Sequence, residues 1–402
     1  MIFELSGFSQ GTTLSSYDSI KIEKLPLGFS SHAQIKEKIK NGNEFLKTDL
    51  KDLLQLADRL TKTEPPSVIN DTTAPVGIDM YDYVSYAPYW WPNPDTEDGL
   101  PYIRKDGLIN HELRNKGDDK ALELMAYSVH ILALAYYYSE DEKYATCAQK
   151  FLSVWFLDSA TKMNPNAERG QIVPGINDFG RRAGINEMRY LINVIDGVSL
   201  IADSKSWSVD KNEELKLWFF NYFQWLNESK HGKEEKIRPN NHGTWYDLQY
   251  VSIALYLDKD SLAKEQIENY SKQRINSQID STGIQALEVT RGFSLHYSMY
   301  NIEAFFALAT LGEKVGVDLW NYKATNGGSI QKALNYLIPF VGKQSLWPYD
   351  DFGKTHEKNW FILLSTAVYK YKDEAYAKAL NSEQRNKPEH CRYCYSLIVP
   401  TN

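Results

Sequence analysis

Two short runs of this chain hold residue types that could act on one another. "RPNNHGTWYDLQ", Arg238 to Gln249, brings Asn240, Asn241 and His242 together ahead of a helical pattern. "EVTRGFSLHYSMYN", Glu288 to Asn301, sets Arg291 six residues before Tyr297 and leads into an apolar helix. Taken singly each residue is ordinary: an arginine usually pairs with a carboxylate, and a tyrosine usually fills core. As a set they fit β-elimination from a uronic-acid polysaccharide. The C5 proton of a uronate is hardly acidic while its carboxylate is charged. Preorganised donors such as Asn, His and Arg must neutralise that charge and hold the enolate-like intermediate. A tyrosine beside a cation can then take the C5 proton or protonate the leaving O4.

Other chemistries find no motif. There is no Gly-x-Ser-x-Gly elbow to support a nucleophilic triad. H-E-x-x-H, EF-hand and Gly-rich phosphate loops are lacking, so neither a metal nor a cofactor is expected. Local structure alone explains part of the first run. Thr244 with Asp247 reads as a capping box opening the next helix, Gly243 suits the turn before it, and Asn240 supports that turn. Asn241 and His242 are left over. His296 is expected to stand behind Tyr297, since neighbours on a helix point about 100° apart.

Composition narrows the partners. A net charge of −7 argues against nucleic acid, which needs clustered Lys and Arg. The aromatic share is high, with 27 Tyr, 10 Trp and 16 Phe, and Tyr and Trp faces suit sugar rings as well as cores. No run of about 18 apolar residues occurs, so no membrane span is expected. Cys147, Cys391 and Cys394 form neither a disulfide framework nor a zinc site; Cys391-Arg-Tyr-Cys394 is read as structural.

The elements that must position these residues are helices. Apolar residues recur at spacings of three and four through Ala121–Tyr136, Ile185–Ile201, Met299–Ala309 and Trp360–Tyr371. About ten helices are expected, with almost no period-two strands, in a single domain over residues 1–402. Paired helices in a ring or partial barrel fit this pattern. Two long irregular segments interrupt it, Tyr81–Leu113 and Asn164–Arg182, and loops of that length are commonly functional. The first carries Tyr86, Tyr89, Trp90 and Trp91 among three prolines, which places aromatic rings on a stiffened loop.

These blocks, in order, resemble the alginate lyase superfamily of polysaccharide lyases. The matching stretches are "YAPYWWPNP", "GLPYIRKDG", "ELRN", "NPN", "GRRAGINE", "NNHGTWYD" and "ALEVTRGFSLHY", with Trp347-Pro-Tyr349 beyond them. The resemblance implies an all-α fold, an (α/α) toroid or incomplete helical barrel with long active-site loops. It also implies that Asn241, His242, Arg291 and Tyr297 take the family's catalytic positions. Tyr297 is then the acid and also the base, with His242 as the alternative base. Asn241 and His242 neutralise the C6 carboxylate. Arg291 lowers the Tyr297 pKa or holds the carboxylate, and that effect must outweigh desolvation. Tyr89, Trp90, Trp91, Arg104, Trp245 and Trp347 are candidate sugar contacts.

Stereochemistry selects a substrate. In β-D-mannuronate the C5 hydrogen and O4 share one ring face, so one tyrosine can serve both steps; α-L-guluronate puts them on opposite faces. Poly-mannuronate is favoured, with glucuronan, which differs only at C2, next. Basic "RKDG" and "GRRAG" loops would steer an anionic polysaccharide despite the acidic total. A periplasmic or secreted mature form fits such a substrate. A helical-barrel glycoside hydrolase is the rival enzyme, with carboxylates drawn from Asp247, Glu288, Glu303, Asp350 and Asp351. A non-catalytic glycan-binding protein is the rival from another class. It would use the aromatic loop but would not need Asn241, His242, Arg291 and Tyr297 together.

Overall fold

The computed structural model describes residues 32–383 apart from 43, 71–76 and 352–356. Cys391 and Cys394 lie outside the described residues, and Cys147 is buried with a free thiol. The first half contains α1 (His32–Lys40), α2 (Glu44–Leu60), α3 (His111–Arg114), α4 (Asp119–Ser139), α5 (Glu142–Leu152), α6 (Leu191–Leu200) and α7 (Val209–Glu228). Then follow α8 (Lys230–Lys236), α9 (Asn241–Tyr256), α10 (Asp260–Gln266), α11 (Lys272–Gln278), α12 (Ser294–Lys314), α13 (Ile330–Leu337), α14 (Glu357–Tyr371) and α15 (Glu374–Glu383). The fold is all-α, as the apolar stripes require. There are more helical segments than about ten because some runs are broken in hydrogen-bond register, not in direction. Thus α10 and α11 continue into each other through a wide turn at Ile267–Ser271.

Helices α4, α6, α9, α12 and α14 pack in succession. They are backed by α2 and α5 on α4, α7 and α10 on α9, α13 on α12, and α15 on α14. A curved row of inner helices with outer partners is the paired arrangement of an α/α toroid. One apolar cluster runs from Ile35 to Leu380 through all of these helices. Gly197 allows α6 to close on α4, since a Cβ there would lie 2.8 Å from Val129 Cγ1. Helix α9 is buried almost all round, from Asn241 to Ala254, as befits the centre of the row.

The two long loops contain the only strands among the described residues, each of four residues or fewer. Val84–Tyr86 (β1) pairs in parallel with Arg169–Ile172 (β4), which ties one loop to the other. Trp90–Trp91 (β2) pairs antiparallel with Ile103–Arg104 (β3), setting Trp90 opposite Arg104. No described helix is long and apolar enough to cross a membrane.

Candidate active site

Helix α9 begins earlier than its sequence predicts. Its first residue is Asn241, with Asn240 at the N-cap, so Asn241 and His242 form its first turn. Thr244 and Asp247 do not cap it; both are buried inside the helix. Thr244 Oγ1 donates to Gln278 Oε1 at 3.0 Å, and Asn301 Nδ2 donates to the same oxygen at 2.8 Å, pinning α9 to α12. Asp247 receives Arg274 Nε at 2.7 Å and Nη2 at 2.9 Å, together with Gln266 and Ser271. Arg274 also donates to the carbonyls of Lys236 and Arg238, at 2.6 and 2.8 Å. The guanidinium therefore staples the segment before the helix to its second turn. Breaking such a buried pair from one side costs about 3–5 kcal/mol. Gly243 is needed for this staple and not for a turn, because a Cβ there would fall 2.1 Å from Arg274 Nη1.

With the helix start held, two carboxylates orient the polar pair. Glu288 is buried and accepts both the backbone N–H and the side-chain amide of Asn241, each at 2.7 Å. The first free N–H of α9 is thus satisfied by an anion from a distant segment, where the helix dipole favours negative charge. Burial pushes the Glu288 carboxyl up, against the pull of these hydrogen bonds and of Arg291 and His242 nearby. Glu235 is also buried and takes Nδ1 of His242, while Arg182 Nη1 donates to its other oxygen at 2.5 Å. Burial acts to raise Glu235, but His242 and Arg182 outweigh it and hold the carboxyl below its ordinary value. A carboxylate on Nδ1 leaves Nε2 as the nitrogen that can face a ligand.

Arg291 and Tyr297 meet as the family resemblance implies, but not in the expected way. The guanidinium carbon lies 3.8 Å from the centroid of the Tyr297 ring, stacked on its face. The Tyr297 hydroxyl instead meets the Tyr89 hydroxyl at 2.8 Å. Burial therefore dominates: with the Tyr89 neighbour it pushes Tyr297 well above the ordinary phenol value, and Arg291 only partly offsets the rise. The expectation that the cation would outweigh desolvation fails in this state. Asp106 explains part of it. This aspartate accepts from Arg291 Nε at 3.2 Å, Nη2 at 3.3 Å and the Gly292 N–H at 3.3 Å, so the guanidinium charge is already half answered. Burial acts to raise Asp106, and Arg291 with Gly292 brings it below its ordinary value.

The candidate sugar contacts separate into three groups. Tyr89 is half-buried and joins the acid–base centre through Tyr297. Trp245 and Trp347 are core. The Trp245 ring stacks on Tyr300 at 4.5 Å, and its N–H goes to the Tyr300 carbonyl. Trp347 packs among Tyr336, Phe340 and Tyr349 and donates to Ser294 Oγ at 2.7 Å, steadying the start of α12. Both had looked like platforms because aromatic side chains serve either purpose. Trp90 and Trp91 lie half-buried on β2, and Arg104 is exposed and paired to Asp106 at 2.7 Å. Trp90 packs against the small cluster of Val84, Tyr86, Leu113 and Ile172. Trp91 touches less, with its N–H on the Leu108 carbonyl and Lys105 Nζ 5.4 Å from its ring.

That difference splits the expected behaviour of the tandem tryptophans. Trp90→Ala is expected to lower the melting temperature, approaching the core cost of about 3 kcal/mol. Trp91→Ala is expected to leave melting nearly unchanged and to raise KM for polysaccharide. Thermal scans beside initial rates check both, and equal melting losses would return Trp91 to the core. Sequence reading missed Glu235 and Asp106, and it named Glu288 only as a hydrolase carboxylate. Of the carboxylates that a hydrolase would need, Asp247 and Glu288 are buried and committed to Arg274 and Asn241.

The all-helical scaffold and its paired inner and outer helices define a class, and solved structures share it. An alginate lyase from Bacteroides ovatus superposes with a TM-score of 0.85 at 36% identity, covering 92% of this chain and 99% of that one. An alginate lyase from a Sphingomonas species has the same fold at 17% identity, with a TM-score of 0.53 over 83% of this chain and 88% of its own. No curated protein matches. The alginate lyase family model matches residues 70–347. The chain belongs to the alginate lyase family and is a polysaccharide lyase.

Proposed function

We propose that this lyase cleaves alginate within its mannuronate blocks by β-elimination, with Tyr297 as the proton-transfer group. The observation that carries the reading is the joining of Tyr297 to Arg291 and Tyr89, beside an Asn241 held by Glu288 and a His242 held by Glu235. His242, through Nε2, and the second N–H of the Asn241 amide, whose first goes to Glu288, neutralise the C6 carboxylate of the sugar that loses its C5 proton. Arg291, loosened from Asp106 by that carboxylate, stabilises the growing negative charge. The Tyr297 oxygen, as phenolate, takes the C5 proton. It then returns the proton to O4 as the C4–O4 bond breaks and the C4–C5 double bond forms. One oxygen serves both steps only when hydrogen and leaving group share a face, which favours mannuronate over guluronate. Glucuronan satisfies the same geometry and is the second substrate. A polymer of this size supports action outside the cytoplasm, in a periplasmic or secreted setting.

A panel of poly-mannuronate, poly-guluronate and glucuronan, followed by ultraviolet absorbance of the unsaturated product, tests the reading. Poly-mannuronate is expected to react fastest and poly-guluronate slowest. New reducing ends without absorbance would mean hydrolysis. A guluronate rate equal to that on mannuronate would end the single-tyrosine account.

A further inference from the structure

Arg189 sits in the tight helical turn Arg182–Tyr190 without a carboxylate in ion-pair reach among the described residues. Its Nη1 donates to the Asn186 carbonyl at 3.0 Å and its Nη2 to the Tyr190 hydroxyl at 2.9 Å. The guanidinium lies 4.2 Å from the Tyr190 ring centroid and 5.8 Å from that of Tyr300. By contrast, Arg114, Arg182, Arg274 and Arg291 each hold a carboxylate directly. Glu123 and Glu187 favour the Arg189 charge from beyond ion-pair reach, so the guanidinium stays a cation whose direct carboxylate partner is left for a ligand to supply.

Two further observations point to a ligand there. Glu303 also faces Arg189, yet its Oε1 is buried with no hydrogen-bond partner among the described residues. Burial pushes its carboxyl up to about 8, so at neutral pH it is largely a neutral hydrogen-bond donor and not a counter-ion. The region is also continuous with the candidate active site. His296 lies edge-on to Tyr297 at 5.4 Å and stacks on Tyr300 at 5.8 Å. At 1.5 Å per helical residue, Tyr300 and Glu303 stand about 4.5 and 9 Å along α12 from Tyr297. That is the scale of the next sugar along a chain.

We propose that Arg189, Tyr190, Tyr300 and Glu303 form a second carboxylate-binding subsite, which takes a uronate beyond the two sugars that flank the broken bond. Arg189 receives the carboxylate, the Glu303 carboxyl donates to an oxygen of the same sugar, and Tyr190 and Tyr300 hold the guanidinium in place. The proposal rests on the lyase reading for what the ligand is, but its test does not need turnover.

The experiment measures calorimetric binding of saturated mannuronate oligomers, from dimer to hexamer, in a Tyr297→Phe background with and without Arg189→Gln. Losing a charged hydrogen bond is expected to weaken long oligomers by about 10–100-fold. The dimer, which reaches only the sugars at the broken bond, should change by less than about twofold on the same scale. Arg189→Lys keeps the charge without the fork and should fall between the two. An Arg189→Gln protein with unchanged melting and unchanged affinity at every length overturns the subsite. Equal losses at every length, with lowered melting in both variants, overturn it as well and make Arg189 structural. Selective loss for long oligomers in a chain whose wild type forms no unsaturated product would keep the subsite and remove the lyase mechanism. Failure of any oligomer to bind would remove both.

Discussion

Replacing Tyr297 by Phe is expected to abolish double-bond formation while leaving the fold and substrate binding nearly intact. The ring stays buried against Arg291, so packing is preserved, and the change removes only the oxygen that meets Tyr89. Each general acid or base step is worth about 10²–10⁴ in rate. Since one oxygen is assigned both steps, no product above background should remain. The wild-type pH profile carries an independent sign. Burial and the Tyr89 neighbour push the phenol well above its ordinary pKa, so at neutral pH the reactive phenolate is a minor form. The rate should therefore climb as pH rises, by up to about tenfold per unit while the anion is scarce. Calorimetry on the Phe variant and rates from neutral to alkaline pH check both halves. Substantial residual elimination in Tyr297→Phe would move the base to His242 and weaken the same-face preference for mannuronate.

The second large effect is expected at the His242–Glu235 pair. His242→Ala removes a preorganised donor to the C6 carboxylate and should lower kcat by about 10²–10³-fold. Glu235→Gln leaves His242 in place but removes the charge that orients it and answers Arg182. Hydrogen bonds to charged groups are worth about 1.5–3 kcal/mol, so a kcat loss of about 10–100-fold is expected. The double variant should lose little more than His242→Ala, because Glu235 acts through the imidazole. Steady-state rates and melting curves on the two singles and the double form the test. Additive losses, or near-normal turnover in His242→Ala, would take this segment out of the reaction.

Local spacing settled much of this protein. Apolar residues three and four apart make a helix wherever they recur, whatever lies across the fold, so the all-helical class was legible in stretches such as Met299–Ala309. So were the long loops, whereas the pairing of Arg291 with Tyr297 was legible through the family resemblance and not through spacing. Other features depend on chain segments that local pattern cannot connect. Thr244 and Asp247 obey a capping rule on paper, but a buried Asp247 gains more from Arg274, 27 residues on, than from a helix end. Tyr89 reaches Tyr297 across 208 residues, Asp106 reaches Arg291 across 185, and Glu288 reaches Asn241 across 47. Whether a tryptophan is core or platform is likewise decided by what packs on its second face, as Trp245 and Trp347 show. The phenol's basicity is the sharpest case. The sequence places a cation near Tyr297, and only the folded chain determines that burial and Asp106 leave that cation too weak to hold the phenolate in the resting state.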